Sequence, residues 1–404
     1  QRDAMPLRLG YLIPQFPGQT HIFFWRELEA LQARGVQPVL LSTRPPPPGL
    51  ISHEWSAEAA ARTTYLARMD PAAALGGLVR LPPGDLLSAP RGEPRAFLRD
   101  MAMSIPAARR LVDHARREGI DHVHAHSCGR AALIAALAFR MGGPRYSLTL
   151  HGPLEDYGPG QRYKWRHAAF ATIITEKLRA EAETELAGYL PPRIAVQAMG
   201  VDTGRLSRDT PWQPPRPGEP LRIMSCGRLN QVKGHQDLLQ AIRMLRDAGH
   251  DARLVVAGED DAGGTGYRRV IEARIAELGL DDAVTLLGAV SEGEVRRHLL
   301  EAHVFALASW HEPLGVALME AMSCEVPTIG TAAGGVAELI RDGQDGILVP
   351  PRDPPAMADA ILRLAGDPNL ARRLGQAGRE RIVSGFGAEA GAETLIRLVA
   401  ETRG

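Results

Sequence analysis

A chain of 404 residues, 45% hydrophobic and 23% charged, has the composition of an ordinary globular protein and the length for two cores. Lys plus Arg and Asp plus Glu both number 47, so no global field recruits nucleic acid, and any attraction for an anion is local. Cys128, Cys226 and Cys324 lie far apart, in no spacing that suits a disulfide framework or a zinc site.

No apolar run reaches the roughly 18 to 20 residues that span a bilayer, and no charged-then-apolar signal pattern opens the chain. The expectation is a reducing cytoplasm, with peripheral contact at the inner face of the membrane left open. The residues before Met5 read as an added tag, with Met5 as the natural start.

In chain order, apolar runs alternate with segments of 3.6-residue period, the pattern of parallel sheets covered by helices. Strands are expected at 7–13, 36–42, 121–126, 146–151, 171–175 and 193–199, and helices at 22–33, 107–118, 131–140 and 176–187. The stretches at 44–50 and 81–94 read as a stiff loop and a mobile connection, since repeated proline and glycine break both periodicities. The proline-rich stretch 209–220 reads as an interdomain linker. The alternation then restarts, with strands expected at 221–227, 252–258, 283–288, 303–309, 326–331 and 346–350, a complete six-stranded doubly wound unit.

Glu312 and Glu320 carry the most chemical information. They stand with seven residues between them in Ser-Trp-His-Glu-Pro-Leu-Gly-Val-Ala-Leu-Met-Glu, bracketing a turn and the start of a helix. A carboxylate in the loop accepts hydrogen bonds from sugar hydroxyls, the free amides of the helix start face a diphosphate, and the second carboxylate suits a ribose diol. Gly334 and Gly335, after the next strand, read as a second ligand loop.

Upstream, Gly-Arg-Leu-Asn-Gln-Val-Lys-Gly follows the first strand of the second half. There Gly227 permits a tight turn, and Arg228 and Lys233 flank a helix start where they neutralise a departing diphosphate. In the first half His151, followed by Gly152, ends a strand at the edge where doubly wound sheets bind ligands. Gly18, with Gln19, Thr20 and His21, opens the first helix; no GxGxxG accompanies it, which argues against a dinucleotide oxidoreductase.

Three further patterns carry less. His122, His124 and His126 alternate on one side of a strand but lack the partners of a metal site, so no metal is expected. The acidic, glycine-rich 259–264 reads as an exposed turn. The stretch 162–170 mixes cations with aromatics, as a membrane-resting surface or a solvated helix face with a few buried rings.

These motifs together resemble the family-4 retaining glycosyltransferases, over almost the whole chain and most strongly in Gly-Arg-Leu-Asn-Gln-Val-Lys-Gly, Glu-Pro-Leu-Gly-Val-Ala-Leu-Met-Glu-Ala-Met and 332–353. The resemblance implies an α/β fold of the GT-B kind, two Rossmann-like doubly wound domains facing a central cleft. The domains are expected at 1–208, binding an acceptor, and 209–385, binding a nucleotide sugar, with a last helix at 386–404 returning to the first.

It further implies that Arg228 and Lys233 bind the diphosphate, Glu312 the transferred sugar and Glu320 the ribose, with Gly227, Pro313, Leu314 and Gly315 around the donor. His151 then touches the sugar near the reacting centre, and Gly18 belongs to a closing loop. His151, Arg228, Lys233 and Glu312 are the expected catalytic set. No cofactor or divalent metal is implied; a UDP- or GDP-linked sugar is the co-substrate, and a glycan or lipid-linked glycan accepts.

The segment 14–35 looks most like bacterial exopolysaccharide and colanic-acid transferases. Many of those carry Ser-Glu-Thr-Phe where this chain runs from Gly18 to Ile22, which leaves the acceptor open. A sugar-nucleotide epimerase or phosphorylase of the same architecture, or a non-catalytic nucleotide-sugar-binding protein, are the alternatives.

Overall fold

The computed structural model describes residues 6–18, 21–48 and 54–403, in two compact units. The first comprises the chain through Pro47, Trp55–Ala198 and Glu389 onward; the second includes Met199–Ala388.

The first unit begins β1 (Arg8–Gln15), α1 (Ile22–Ala33), β2 (Gln37–Arg44), α2 (Ser56–Arg62) and β3 (Thr64–Tyr65). Three helices follow, α3 (Pro71–Arg80), α4 (Pro83–Ser88) and α5 (Arg95–Glu118). It continues β4 (His122–Ala125), α6 (Arg130–Arg140), β5 (Arg145–Leu150), α7 (Gln161–Arg166), β6 (Ala171–Ile173), α8 (Glu176–Glu185) and β7 (Ile194–Val196). The strands form one parallel sheet in the order β3-β2-β1-β4-β5-β6-β7. Being covered on both sides, they read as apolar runs rather than alternations.

The second unit runs β8 (Leu221–Cys226), α9 (His235–Asp247), β9 (Ala252–Ala257), α10 (Tyr267–Glu277), β10 (Val284–Gly288), α11 (Glu292–Glu301) and β11 (Val304–Ala306). Then come α12 (Val316–Ser323), β12 (Thr328–Thr331), α13 (Val336–Leu339), β13 (Ile347–Val349), α14 (Pro354–Gly366) and α15 (Pro368–Gly385). The last helix, α16 (Ala388–Arg403), lies almost wholly in the first unit. The second sheet is also parallel, ordered β10-β9-β8-β11-β12-β13. Helix starts in this half follow local rules: Asp353 and Asp367 each accept an amide hydrogen bond three residues on, with proline next in sequence.

Both sheets reverse direction at one point, between β1 and β4 and between β8 and β11. Such switch points leave a crevice beyond the carboxyl ends of the strands, where loops can reach a ligand.

Three expectations are corrected here. The helix expected at 107–118 is the second half of α5, which starts at Arg95 with Pro106 buried inside it; a missing amide is tolerated where packing holds the rest of the helix. The stretch 81–94 contains α4 and is anchored by Asp85, whose carboxylate accepts from Arg140 Nε and Nη2 at 2.7 and 2.9 Å and from the Tyr163 hydroxyl at 3.0 Å. The proline-rich 209–220 packs into the second unit through Trp212, buried against its core and donating from Nε1 to the His303 carbonyl. The two-residue strand β3 was not anticipated at all, being too short for any periodicity to register.

Candidate active site

In the second unit three loops gather at the switch point, those following β8, β11 and β12. The first turns back at Gly227, whose carbonyl lies so close to Gly258 that a β-carbon there would sit 2.0 Å from it. Asn230 accepts the Lys233 amide, and Gly234, at φ 67°, starts α9 with no room for a side chain, since a β-carbon there would sit 1.9 Å from the Ala308 carbonyl oxygen. The loop is thereby pressed against the end of β11, which sets where Lys233 points.

Lys233 Nζ lies 2.5 Å from Glu312 Oε2, and Ser309 Oγ donates to the same oxygen at 3.1 Å. Glu312 is buried, and no described residue hydrogen-bonds its Oε1. The pair leaves one carboxylate oxygen and the remaining ammonium protons for a ligand. The Glu312 carbonyl accepts from the Gly335 amide at 3.0 Å, and a side chain at Gly334 would stand 2.1 Å from that carbonyl. The paired glycines therefore serve first to support the Glu312 backbone. Gly315, at φ 99°, follows Pro313 and the buried Leu314 and is the N-cap of α12.

Trp310 holds the same loop from the other side. Its amide donates to the Val232 carbonyl, its indole to Asp237 in α9 at 2.6 Å, and the Arg352 guanidinium lies 3.9 Å over its ring. Arg228 stays exposed, 3.8 Å from Asp261. In α12 burial, with a smaller push from Glu292, raises the Glu320 carboxyl to about 8, so it is protonated at neutral pH and can both donate and accept.

The 259–264 stretch is a turn, exposed at Asp261, Ala262 and Gly263 and folded around Asp260. Asp260 is buried and accepts from the amides of Ala262, Gly264, Gly266 and Arg268. Burial pulls its carboxyl up, but the four amides outweigh it and hold the group below its usual range.

The first unit presents histidines at its switch point. His151, half-buried after β5, lies 3.3 Å from His126 Nδ1 through its Nε2; His126 Nε2 donates to Glu27 Oε1 at 2.9 Å, and the Tyr11 hydroxyl donates to that same oxygen at 2.8 Å. Because the carboxylate only accepts, His126 carries a proton on Nε2; with its Nδ1 unprotonated, that atom accepts from His151 Nε2–H and leaves His151 Nδ1 as an acceptor. Burial, then His126 and His21, push the His151 pKa well below 6.5, so the ring is neutral. Gly391 of α16 makes room for this row, since a β-carbon there would meet Glu27 Oε2 at 2.6 Å.

His122 and His124 stay structural, bonded to Ser147 and Thr149 on the neighbouring strand. Among the described residues no group of three or more His, Cys, Asp or Glu is arranged to hold a metal. Gly18 accepts the His21 amide and faces its ring too closely for a side chain, while Gln19 and Thr20 lie outside the described residues. In 162–170, Trp165 and Phe170 are core residues and Lys164 is buried against the Tyr157 carbonyl, so this segment offers no membrane-resting rings.

Sequence comparison now separates the two halves. Residues 22–205 match the profile described as Glycosyltransferase Family 4, and residues 207–381 that of Glycosyl transferases group 1. The chain belongs to the family-4 glycosyltransferases. The transferase is 28% identical to the alpha-D-kanosaminyltransferase of Streptomyces kanamyceticus, over 65% of this chain and 72% of that one. It is 32% identical to the amylovoran biosynthesis glycosyltransferase AmsK of Erwinia amylovora, over 43% of this chain and 42% of the other. In structure it matches the Anabaena protein HepE, solved with UDP and glucose, at a TM-score of 0.75 and 16% identity, covering 98% and 100% of the two chains. That likeness shows the transferase to have the GT-B fold of two Rossmann-like domains.

Ser309, Glu27 and Tyr11 are site neighbours that sequence reasoning passed over. Ser309 sits three residues before Glu312, a spacing that could have been read; Glu27 lies 99 residues from His126, and nothing local marks it.

Proposed function

We propose that this glycosyltransferase moves a hexose from a nucleoside diphosphate sugar to a hydroxyl of a glycan or lipid-linked glycan, with retention at the anomeric carbon, in assembling a bacterial polysaccharide or glycoconjugate. The observation that carries the reading is the Lys233–Glu312 pair at the carboxyl end of the second sheet, with Glu312 Oε1 left open. Lys233 and Arg228 stabilise the diphosphate as the anomeric C–O bond breaks, which supplies the largest share of the acceleration. Glu312 accepts from the sugar hydroxyls, and the Glu320 carboxyl from and to the ribose diol. His151 Nδ1 accepts from a further hydroxyl of the sugar.

No carboxylate in the set is placed as a covalent nucleophile: Glu312 is ion-paired with Lys233 and its open oxygen serves the sugar hydroxyls, and Glu320 is protonated. The acceptor oxygen therefore bonds to the anomeric carbon on the face the diphosphate leaves, and the acceptor proton passes to a departing phosphate oxygen. The cations named do the work of a divalent metal, so turnover survives a chelator.

The bacterial exopolysaccharide role draws on AmsK, which is named for amylovoran biosynthesis. The test is to incubate the chain with UDP-, GDP- and ADP-linked hexoses, a bacterial glycan extract and a chelator, and to read the anomeric coupling of the product by NMR. Transfer with an inverted linkage, epimerisation of donor alone, or phosphate-dependent cleavage each overturns the reading.

A further inference from the structure

The segment between β3 and β4 holds an unusual share of the surface carbon. Ten large apolar side chains are counted as exposed among the described residues, and seven of them fall between Met69 and Met103. On α3, Leu75, Leu78 and Val79 share one face at helical spacing, with Leu75 and Val79 exposed by 66% and 78%. The opposite face carries Gly77, against which Ile105 of α5 packs so closely that a β-carbon would clash at 2.7 Å.

On α5, the neighbour in that packing, Leu98 and Met103 are exposed while Phe97 and Met101 turn inward. Leu87 of α4 adds a residue that is 72% exposed. These helices are thus amphipathic, with the outer stripe left uncovered rather than polar.

The charge around the stripe has one sign free. Arg68, Arg91, Arg95 and Arg99 are exposed and Arg80 is half-buried, and none forms an ion pair with any described residue. The acids of the segment are engaged elsewhere: Asp70 caps α3 and lies 3.7 Å from Arg110, Asp85 binds Arg140, Glu93 accepts the Gly160 amide, and Asp100 lies 3.6 Å from Arg130. Three of the exposed apolar residues stand next to an arginine in sequence, as Arg68-Met69, Val79-Arg80 and Leu98-Arg99. Such pairs suit a boundary where carbon enters an acyl layer and guanidinium stays at the level of phosphate.

We infer that the outer face of α3, α4 and the start of α5 docks this chain on an anionic lipid bilayer. The helices lie on the surface; no described helix is long and apolar enough to cross. The site is distinct from the 162–170 stretch, whose rings are in the core. The inference goes beyond the proposed reaction, since it concerns binding that needs no donor and no turnover.

The test is co-sedimentation of the full chain with vesicles of phosphatidylcholine, with and without phosphatidylglycerol, at low and high salt. Expected is binding to the anionic vesicles, weakened by salt and by neutral lipid. The Val79→Glu/Leu87→Glu pair, at positions too exposed to disturb the core, and the Arg95→Glu/Arg99→Glu pair are each expected to lower partitioning by about tenfold or more. Donor binding, followed in the same samples by thermal shift, stays unchanged and reports that the variants fold. Equal partitioning of variants and parent overturns the inference, as does absence of the parent from anionic vesicles. A vesicle-indifferent dimer in sedimentation velocity that both variants dissociate overturns it too, because the face then covers a second copy.

Discussion

The two domains share a sheet topology and differ in how they assemble a site. In the second, the charged residues come from loops that follow β8 and β11, and each motif holds its residues within a few positions of one another. In the first, the row Tyr11, Glu27, His126 and His151 is drawn from β1, α1 and the ends of β4 and β5, and is completed by Gly391 of α16. A site gathered from short loops is written locally; a site gathered across a sheet is written only in its packing.

The sharpest way to press the comparison is to break the local pair. Lys233→Ala removes the ammonium that faces the diphosphate and leaves Glu312 held by Ser309 alone. Transfer is expected to fall by about a hundred- to a thousandfold in kcat, the scale of losing one preorganised charge at a leaving group. Circular dichroism should be unchanged, with a melting temperature a few degrees lower because a buried carboxylate loses its partner. Turnover within about threefold of the parent would remove Lys233 from the chemistry.

Glu320 tests the same domain through stability. Its folded carboxyl stands at about 8 against an ordinary 4.5, so the native state keeps a proton the unfolded chain has lost. Stability therefore falls as pH rises from the ordinary value through about 8, and levels off above. Glu320→Gln lacks that loss. The two proteins should melt alike near pH 5, and by pH 9 the variant should be more stable by about 4 kcal/mol, seen as a rise of several degrees. Parallel pH profiles in thermal denaturation would show that burial does not hold the proton there.

What could be read in advance follows the same division. The parallel strands announced themselves as apolar runs, and the loop after β8 by glycines that the structure needs: Gly234 cannot carry a side chain beside the Ala308 carbonyl. Gly334 and Gly335 were legible as a feature but not in role, because their closeness to the Glu312 backbone is a contact across two strands. Asp85 looked like part of a loose connection, since its partner Arg140 is 55 residues away. His126 was visible as one of three alternating histidines, yet what separates it from His122 and His124 is Glu27, which no local pattern marks.

That separation gives the smallest effect and the most specific one. If the row sets the His151 tautomer, the acceptor oxygen of Glu27 matters and its exact charge matters less. Glu27→Leu deletes the acceptor, leaving the Tyr11 hydroxyl and His126 Nε2 without a partner, and the His151 proton is then free to occupy either nitrogen. Glu27→Gln keeps an oxygen where Tyr11 and His126 converge. Expected is a fall of about tenfold in kcat for Glu27→Leu, with donor KM little changed, and recovery of most of it in Glu27→Gln. Nitrogen-15 NMR of the parent, with His151 assigned by its loss in His151→Asn, should show an Nε2–H ring that stays neutral down to pH 6, and a mixed tautomer in Glu27→Leu. A parent ring protonated on Nδ1 breaks the row outright. Equal losses in the Leu and Gln variants would instead trace the effect to the charge of Glu27, acting on the domain without passing through His126.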